Sequence, residues 1–399
     1  MSSPDQMPQA DLLFRPLIGA LSDLKIGSIN VTLPSGRQFN FVGADTGPQA
    51  DLVIHSPRLI GRMLMSGTLG LAEGYMAGDW TSADVVALIR VGEMNRSILG
   101  PLDQGGRLMR ALQWCVHAFR ANTKRGARRN IRAHYDLGNA FYRLWLDPSM
   151  TYSSAVFDHP DQDLASAQLN KYDTILAMLK PTDTTHILEI GSGWGGFAQR
   201  AVEQTGCRVT SITLSQAQLE EAQARIQHAG LADRVTFKLQ DYRDVRGQFD
   251  GIASIEMFEA VGEQYWPGFF SAVHDRLTPQ GLAALQVITI RDDLFAAYRK
   301  SVDFIQRYIF PGGMLPSPQV FKQSAEHAGL EIKAQVFRGL DYAKTLACWD
   351  AAFQDKLDEV KAMGFDDRFV RMWHFYLAYC EAGFRQKTID LMQVSLARS

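Results

Sequence analysis

From His186 onward the chain alternates short apolar runs with helix-like stretches, and few architectures accept that pattern. "HILEI", a helix, "RVTSITL", a second helix, "RVTFKL", "FDGIASI", a third helix and "LAALQVITI" follow one another. Apolar runs without polar alternation read as strands buried on both faces, paired in parallel beneath covering helices. The expected fold class is α/β, a Rossmann-like sheet wound on both faces. Residues 292–399 add helices, including "WDAAFQDKLDEVKAMG" and "DDRFVRMWHFYLAYCEAGFR", and a last strand "LMQVSLA". Ligands of such sheets bind at the carboxyl ends of the strands. Here the first strand ends in a glycine turn, "EIGSGWGGF".

Gly191, Gly193 and Gly196 satisfy the dinucleotide pattern G-x-G-x-x-G. A dinucleotide site also wants an acid at the end of the second strand, to hold a ribose. That strand ends "SITLSQAQ", and Glu220 and Glu221 come only inside the next helix. Thr213, Ser215 and Gln218 suit a ribose instead. Glu189 precedes the first glycine closely; even at an effective dielectric of about 20 its carboxylate repels a pyrophosphate. Beside the sulfonium and ammonium of S-adenosylmethionine the same charge is favourable. In "QDYRD", after the third strand, Asp241 suits the adenine amino group. The turn therefore reads as a site for S-adenosylmethionine; the alternative is glycines used only for tight helix–strand packing.

Residues 1–100 read as a smaller α/β unit. "IGSINVTLPSGRQFNFVG" is a hairpin around Pro34-Ser35-Gly36, "ADLVIHS" a third strand, and "SPRLIGRMLMSGTLGLAEGYMAGDW" two helices about a glycine turn. Little in this unit looks catalytic. Residues 101–133 form a basic linker. Arg107, Arg110, Arg120, Lys124, Arg125, Arg128, Arg129 and Arg132 lie between Asp103 and Asp136 with no acid among them, and Trp114 and Phe119 are interleaved. This is either a solvated linker or a surface for anionic lipid headgroups, where each cation is worth roughly 1 kcal/mol.

The formal net charge is −2, so no nucleic-acid partner is expected. Cys115, Cys207, Cys348 and Cys380 are scattered without a C-x-x-C, which points to reduced thiols and no metal site. "MSSPDQMPQADLL" has no signal-peptide core, and no run of about 18 apolar residues could span a bilayer. A cytoplasmic protein is expected, peripheral on the inner face of the membrane.

"NIRAHYDLGNAFYRLWLDPSMTYSSAVF" (130–157), "LEIGSGWGG", "TLSQAQ", "LQDYRD", "EMFEAVG", "YIFPGGMLPS" and "LDYAKTLACW" resemble, in order and spacing, the cyclopropane fatty acid synthase family. The resemblance covers about 130–399 strongly and the N-terminal part loosely. It implies a lipid-binding-like domain over 1–100 and an S-adenosylmethionine-dependent methyltransferase domain over 134–399. The implied reaction adds a methylene from S-adenosylmethionine across a double bond of an unsaturated phospholipid acyl chain, at a membrane surface and often in a homodimer. The resemblance places the cofactor against Tyr152, Ser153, Gly191, Gly193, Thr213, Leu214, Gln218 and Asp241. It also implies a bicarbonate base, held by the side chains of Glu259 and Tyr342 and the backbone around Ser154 and Ile288. Glu256 is close enough in sequence to orient Glu259.

The intermediate carbocation needs aromatic faces and exclusion of water. Tyr135 and Tyr342, each in a family motif, are the first candidates; Phe258, Tyr298, Phe304 and Tyr308 read mainly as core. His134 reads as structural. Ser154 stands where most members have Cys, and Gln286 and Ala260 where most bacterial members have His. In "EMFEAVG" and "LQVITI" the chain resembles the plant cyclopropane synthases. Ring formation is the first expectation, and a methyl-branched or methylene fatty acid the alternative. A non-catalytic lipid carrier and a small-molecule N-methyltransferase are the other classes to separate.

Overall fold

The computed structural model describes residues 8–100, 102 and 137–399. The N-terminal part is built on a four-stranded sheet in the order β2-β1-β3-β4. β1 (Ile26–Thr32) and β2 (Gln38–Val42) form the expected antiparallel hairpin, turning through Gly36 at a φ of +82°. β3 (Asp45–Ile54) then runs parallel to β1, and the short β4 (Trp80–Thr81) closes the edge.

Helices α1 (Arg15–Leu21), α2 (Arg58–Ser66), α3 (Thr68–Ala77) and α4 (Val85–Met94) cover this sheet. α4 begins where the Asp84 carboxylate accepts the Ala87 amide at 2.8 Å, satisfying a free N–H of the first turn. It ends at buried Asn95, whose side chain accepts from the Lys25 and Ile26 amides and donates to the Ile26 and Val91 carbonyls. That residue locks the helix end to β1.

The second sheet has seven strands in the order β10-β11-β9-β8-β5-β6-β7. β5 (His186–Ile190), β6 (Arg208–Thr213), β7 (Val235–Leu239), β8 (Phe249–Ile255) and β9 (Leu277–Ile290) are parallel, as the apolar runs predict. β10 (Leu330–Phe337) and β11 (Ile389–Arg398) make the sheet mixed, because β11 runs antiparallel to both β9 and β10. β10 escapes sequence reading because it is an edge strand carrying Glu331 and Lys333, mostly exposed, with no clean alternation.

The longer helices of this part are α5 (Leu164–Leu179), α6 (Gly196–Thr205), α7 (Gln216–His228), α8 (Trp266–Arg276), α9 (Pro318–His327), α10 (Gly339–Asp355) and α11 (Asp367–Arg385). The two parts share a core. One buried apolar cluster runs from Leu59 and Trp80 through Trp145 and Trp349 to Trp373 and Phe375. α11 packs on α3 and α4, with the Phe375 ring 5.7 Å from that of Tyr75, and the Tyr308 hydroxyl donates to Glu73 at 2.7 Å. A boundary drawn in sequence at the basic linker therefore does not separate two hydrophobic cores.

Candidate active site

β5 has β6 on one side and β8 on the other, so the chain leaves it in opposite directions and opens a crevice at the strand ends. A cavity of about 830 Å³ occupies that crevice. At one end it is lined by Glu189, Gly191, Gly193, Thr213, Leu214 and Gln218, and next to these by Tyr152 and Ser153. Glu256, Glu259, Ile288 and Tyr342 line its middle. The wall continues to Ser66, Leu69, Glu93 and Arg96 of the N-terminal part, residues that read from sequence as having no part in a site.

The glycine turn has the conformation only glycine takes cheaply: φ is +102° at Gly191 and +49° at Gly193. The Gly191 and Ser192 amides both donate to the Ile212 carbonyl, folding the turn against β6. A Cβ at Gly193 would meet nothing within 4 Å, so the backbone there faces open room. A Cβ at Gly196 would lie 2.6 Å from the Tyr172 hydroxyl, so the third glycine serves close packing.

Glu189 is 3% exposed and accepts the Ser211 hydroxyl at 2.5 Å; desolvation pushes it up to about 8, the state of an acid awaiting a cation. Thr213 Oγ1 donates to Gln218 Oε1 at 2.9 Å, fixing both side chains at the end of β6, where a ribose is expected. Ser215 is the N-cap of α7, accepting the Gln218 amide. These features fit S-adenosylmethionine: glycines with room before them and an acid for the sulfonium side. Asp241 departs from expectation. It is 2% exposed, gripped by Arg243 through Nε at 2.8 Å and Nη2 at 2.7 Å, and stands outside the cavity wall. Its neighbours Gln240 and Tyr242 line the wall instead.

The reaction end is organised around Glu256 rather than Glu259. Glu256 Oε1 accepts the Ser154 amide at 2.7 Å and Gln286 Nε2 at 2.7 Å, and Oε2 accepts the Tyr342 hydroxyl at 2.6 Å. Two of these donors, the Ser154 amide and the Tyr342 hydroxyl, are groups expected to surround bicarbonate. The residues present do not fit that ion in that cradle, because the chain's own carboxylate fills it. Glu256 reaches this place from the end of β8 with a φ of +49°, a conformation that costs a non-glycine residue on the order of 1–2 kcal/mol.

Glu259 accepts the Ile288 amide at 2.5 Å through Oε1, while its buried Oε2 has no hydrogen-bond partner. Desolvation, then the Glu256 charge, push Glu259 up to about 8. Burial also raises Glu256, but the Tyr342, Ser154 and Gln286 donors oppose it, as does Lys171. The three donors favour the charged form on Glu256, whereas burial with a single backbone donor favours the proton on Glu259. Tyr342 is held well above its ordinary range by burial and by Glu256, so it stays a donor.

The other expected residues divide. Ser154 is fully buried, its hydroxyl donates to the Ala155 carbonyl, and only its amide serves the site. Gln286 is also fully buried and is positioned by Gln393 at 2.8 Å. Aromatic faces do surround the centre: Tyr342 stacks on Phe384 at 4.5 Å, and the Tyr152 and Tyr376 hydroxyls meet at 2.8 Å. Tyr298 also lines the cavity, Phe258 and Phe304 are core, and Tyr308 bonds Glu73. Tyr135, His134 and the basic segment lie outside the described residues. Among the described residues no group of side chains could hold a metal.

A pH effect follows from the carboxylate pair. Glu259→Gln preserves the neutral form already present at pH 7, so activity there is expected to stay within about tenfold of the original. As pH rises past about 8, the original Glu259 ionises beside Glu256 and activity falls. The variant lacks that alkaline limb. A pH–rate profile with the same limb in both proteins contradicts this assignment.

The fold and the cofactor end define an S-adenosylmethionine-dependent methyltransferase. A family model, mycolic acid cyclopropane synthetase, matches residues 122–394, and the chain belongs to that family. It is 39% identical to the tuberculostearic acid methyltransferase UfaA1 of Mycobacterium tuberculosis, over 89% of this chain and 86% of that one. It is 35% identical to the cyclopropane-fatty-acyl-phospholipid synthase of Escherichia coli K12, over 88% of each. Among solved structures, mycolic acid cyclopropane synthase CmaA1 complexed with SAH and CTAB superposes with a TM-score of 0.64 at 32% identity, covering 67% of this chain and 97% of that one. The chain is thus an enzyme that modifies lipid acyl chains with S-adenosylmethionine.

Proposed function

We propose that this enzyme transfers the methyl group of S-adenosylmethionine to a double bond of an unsaturated phospholipid acyl chain, and that Glu256 removes the proton that completes the reaction. The observation that carries the reading is the Glu256 carboxyl group, held by three donors in the wall of a cavity continuous with the cofactor turn. S-adenosylmethionine supplies an activated methyl. The chain holds the alkene against it, since positioning is the main help an isolated alkene can receive. Addition to one alkene carbon leaves a cation on the other. The Tyr342 and Phe384 rings lie beside this centre and keep water away. Glu256 Oε2, with one lone pair taken by Tyr342, has another for the proton.

Loss of a proton from the new methyl, with bond formation to the cationic carbon, closes a cyclopropane. This is the first reading, in line with the Escherichia coli relative. If a hydride first shifts to the cationic carbon, the same loss gives a methylene group. The filled ion cradle, and a relative named as a methyltransferase at 39% identity, favour this open-chain product as the second reading. Expression in a host lacking its own cyclopropane synthase, followed by NMR of the extracted lipids, separates the two. Shielded ring protons mark the first and vinylidene protons the second; unchanged acyl chains refute both.

No helix among the described residues is long and apolar enough to cross a membrane. A peripheral, cytoplasmic-face association is proposed instead, carried by the basic segment 107–132. Charge reversal at Arg125, Arg128 and Arg129 is expected to lower activity on anionic vesicles about tenfold or more at low salt. The difference should shrink as salt screens it. Equal activity of both proteins on anionic vesicles contradicts this role.

A further inference from the structure

α5 turns one face, Gln168, Lys171 and Tyr172, toward the loop that carries Tyr152, Ser153 and Ser154. Gln168 Nε2 donates to the Ser153 carbonyl at 2.9 Å, and the Tyr172 hydroxyl meets Thr151 Oγ1 at 2.8 Å. Between them Lys171 Nζ donates to Ser153 Oγ at 2.6 Å and lies 4.3 Å from the centre of the Tyr172 ring. Lys171 is 0% exposed. Its ammonium has three donors. Yet its hydrogen bond goes to a neutral hydroxyl, and no carboxylate among the described residues pairs with it directly. Glu256 at the end of β8, Asp147 before the Tyr152 loop, and Glu189 at the end of β5 face it at longer range.

A glutamine or methionine would fill this space without the heavy penalty of a buried cation. A lysine kept at this position therefore points to a use for its ability to carry a charge. Glu189 and Ser153 both line the cofactor end of the cavity, and Lys171 stands directly behind Ser153, so a sulfonium bound there adds a second positive charge close to Lys171. S-adenosylmethionine differs from S-adenosylhomocysteine, the product left after methyl transfer, by that one fixed positive charge.

We propose that Lys171 is a positioning residue whose ammonium holds the place of the sulfonium charge before the cofactor binds, and gives up a proton when S-adenosylmethionine arrives. The neutral amine still donates to Ser153, so the loop keeps its geometry while the net charge around Glu189 and Glu256 stays constant. Burial first, offset by the three carboxylates, pushes Lys171 down to about 7, so a second positive charge tips it to the amine near neutrality. Glu189, pushed up to about 8, is the other group that could release a proton on binding; the Tyr172 hydroxyl on the same helix is raised and stays neutral. The inference rests on cofactor binding and is independent of the acyl product.

The test is calorimetric titration of the full chain with S-adenosylmethionine and with S-adenosylhomocysteine, in buffers of different ionisation enthalpy between pH 6 and 8. With S-adenosylmethionine the protein should release about half a proton per site at pH 7 and close to one near pH 6. S-adenosylhomocysteine should release almost none. Lys171→Met should lose the Lys171 release and shift the affinity ratio toward S-adenosylmethionine. Lys171→Arg, permanently charged, should shift it about tenfold or more toward S-adenosylhomocysteine. A purely structural lysine would move both affinities together. Equal proton release with the two ligands, or release undiminished in Lys171→Met, overturns the proposal; the second outcome assigns the proton to Glu189. If a variant fails to fold, the pH dependence of release on the unaltered protein decides: a fall from near one proton at about pH 6 to about half at about pH 7 follows Lys171, whereas release near one at both pH values follows Glu189 and overturns the proposal.

Discussion

Glu256→Gln is expected to reduce product formation by about 10²–10⁴-fold, the usual worth of a positioned general base. The amide keeps the shape and loses the charge, and it cannot accept the proton. Affinity for S-adenosylmethionine should change far less, because the glycine turn, Thr213 and Gln218 are untouched. Glu256→Gly is the sharper variant. The backbone at this position already has a φ of +49°, so glycine relieves strain rather than adding it. Removing the side chain opens a space bounded by the Ser154 amide, the Gln286 side chain and the Tyr342 hydroxyl. Added bicarbonate or formate should restore part of the activity of Glu256→Gly and none of the activity of Glu256→Gln. Rescue of both, or a Gln variant as active as the original, refutes the base assignment.

Gly193→Val is expected to abolish detectable cofactor binding, a loss of about a hundredfold or more. Two effects act together. The backbone at Gly193 has a φ of +49°, which a β-branched residue adopts only with strain. The added side chain also projects into the open room before the turn, where no protein atom lies within 4 Å of the Cβ. Because that space is free of protein, the fold should survive with a modest loss of stability. Calorimetry with S-adenosylmethionine and a thermal melt on the same sample check both halves. Tight binding by a folded Gly193→Val protein would place the cofactor elsewhere.

The parallel strands and the glycine turn are legible because each has a local signature. β5, β6 and β8 are buried on both faces, and Gly191 to Gly196 carry spacing that backbone geometry demands. Thr213 and Gln218 are read from their place at the end of β6 and just beyond it, and Leu214 from the family resemblance. Asp241 shows the limit of that logic. Its carboxylate is engaged by Arg243, two residues on in the same motif, and Gln240 and Tyr242 line the cavity in its place. In sequence Glu259 reads as the acid that serves the base, because it sits in the more familiar half of "EMFEAVG". Glu256 takes the donors instead. Those donors come from the Ser154 loop, β9 and α10, far away in sequence, and the backbone conformation that aims Glu256 at them leaves no mark in composition or periodicity. Lys171 is invisible for a similar reason: in "LNKYD" it reads as an ordinary helix-surface lysine, and only α5 packing under the Ser153 loop buries it. The cavity wall contributed by Ser66, Leu69, Glu93 and Arg96 depends on the docking of α11 against α3 and α4, which no local pattern predicts.

The central claim is that the methyl carbon of S-adenosylmethionine ends in the acyl chain after losing one hydrogen to Glu256. Its most direct test incubates the purified protein with S-adenosylmethionine carrying a trideuterated methyl and vesicles of a monounsaturated phospholipid. NMR and mass spectrometry of the released fatty acids then follow the label. The account predicts one added carbon that retains two of its three deuterium atoms, as a ring CH₂ or a methylene, and loss of that product in Glu256→Gln. Label found in the headgroup, an added carbon keeping all three deuterium atoms, or an equal yield from Glu256→Gln would contradict it.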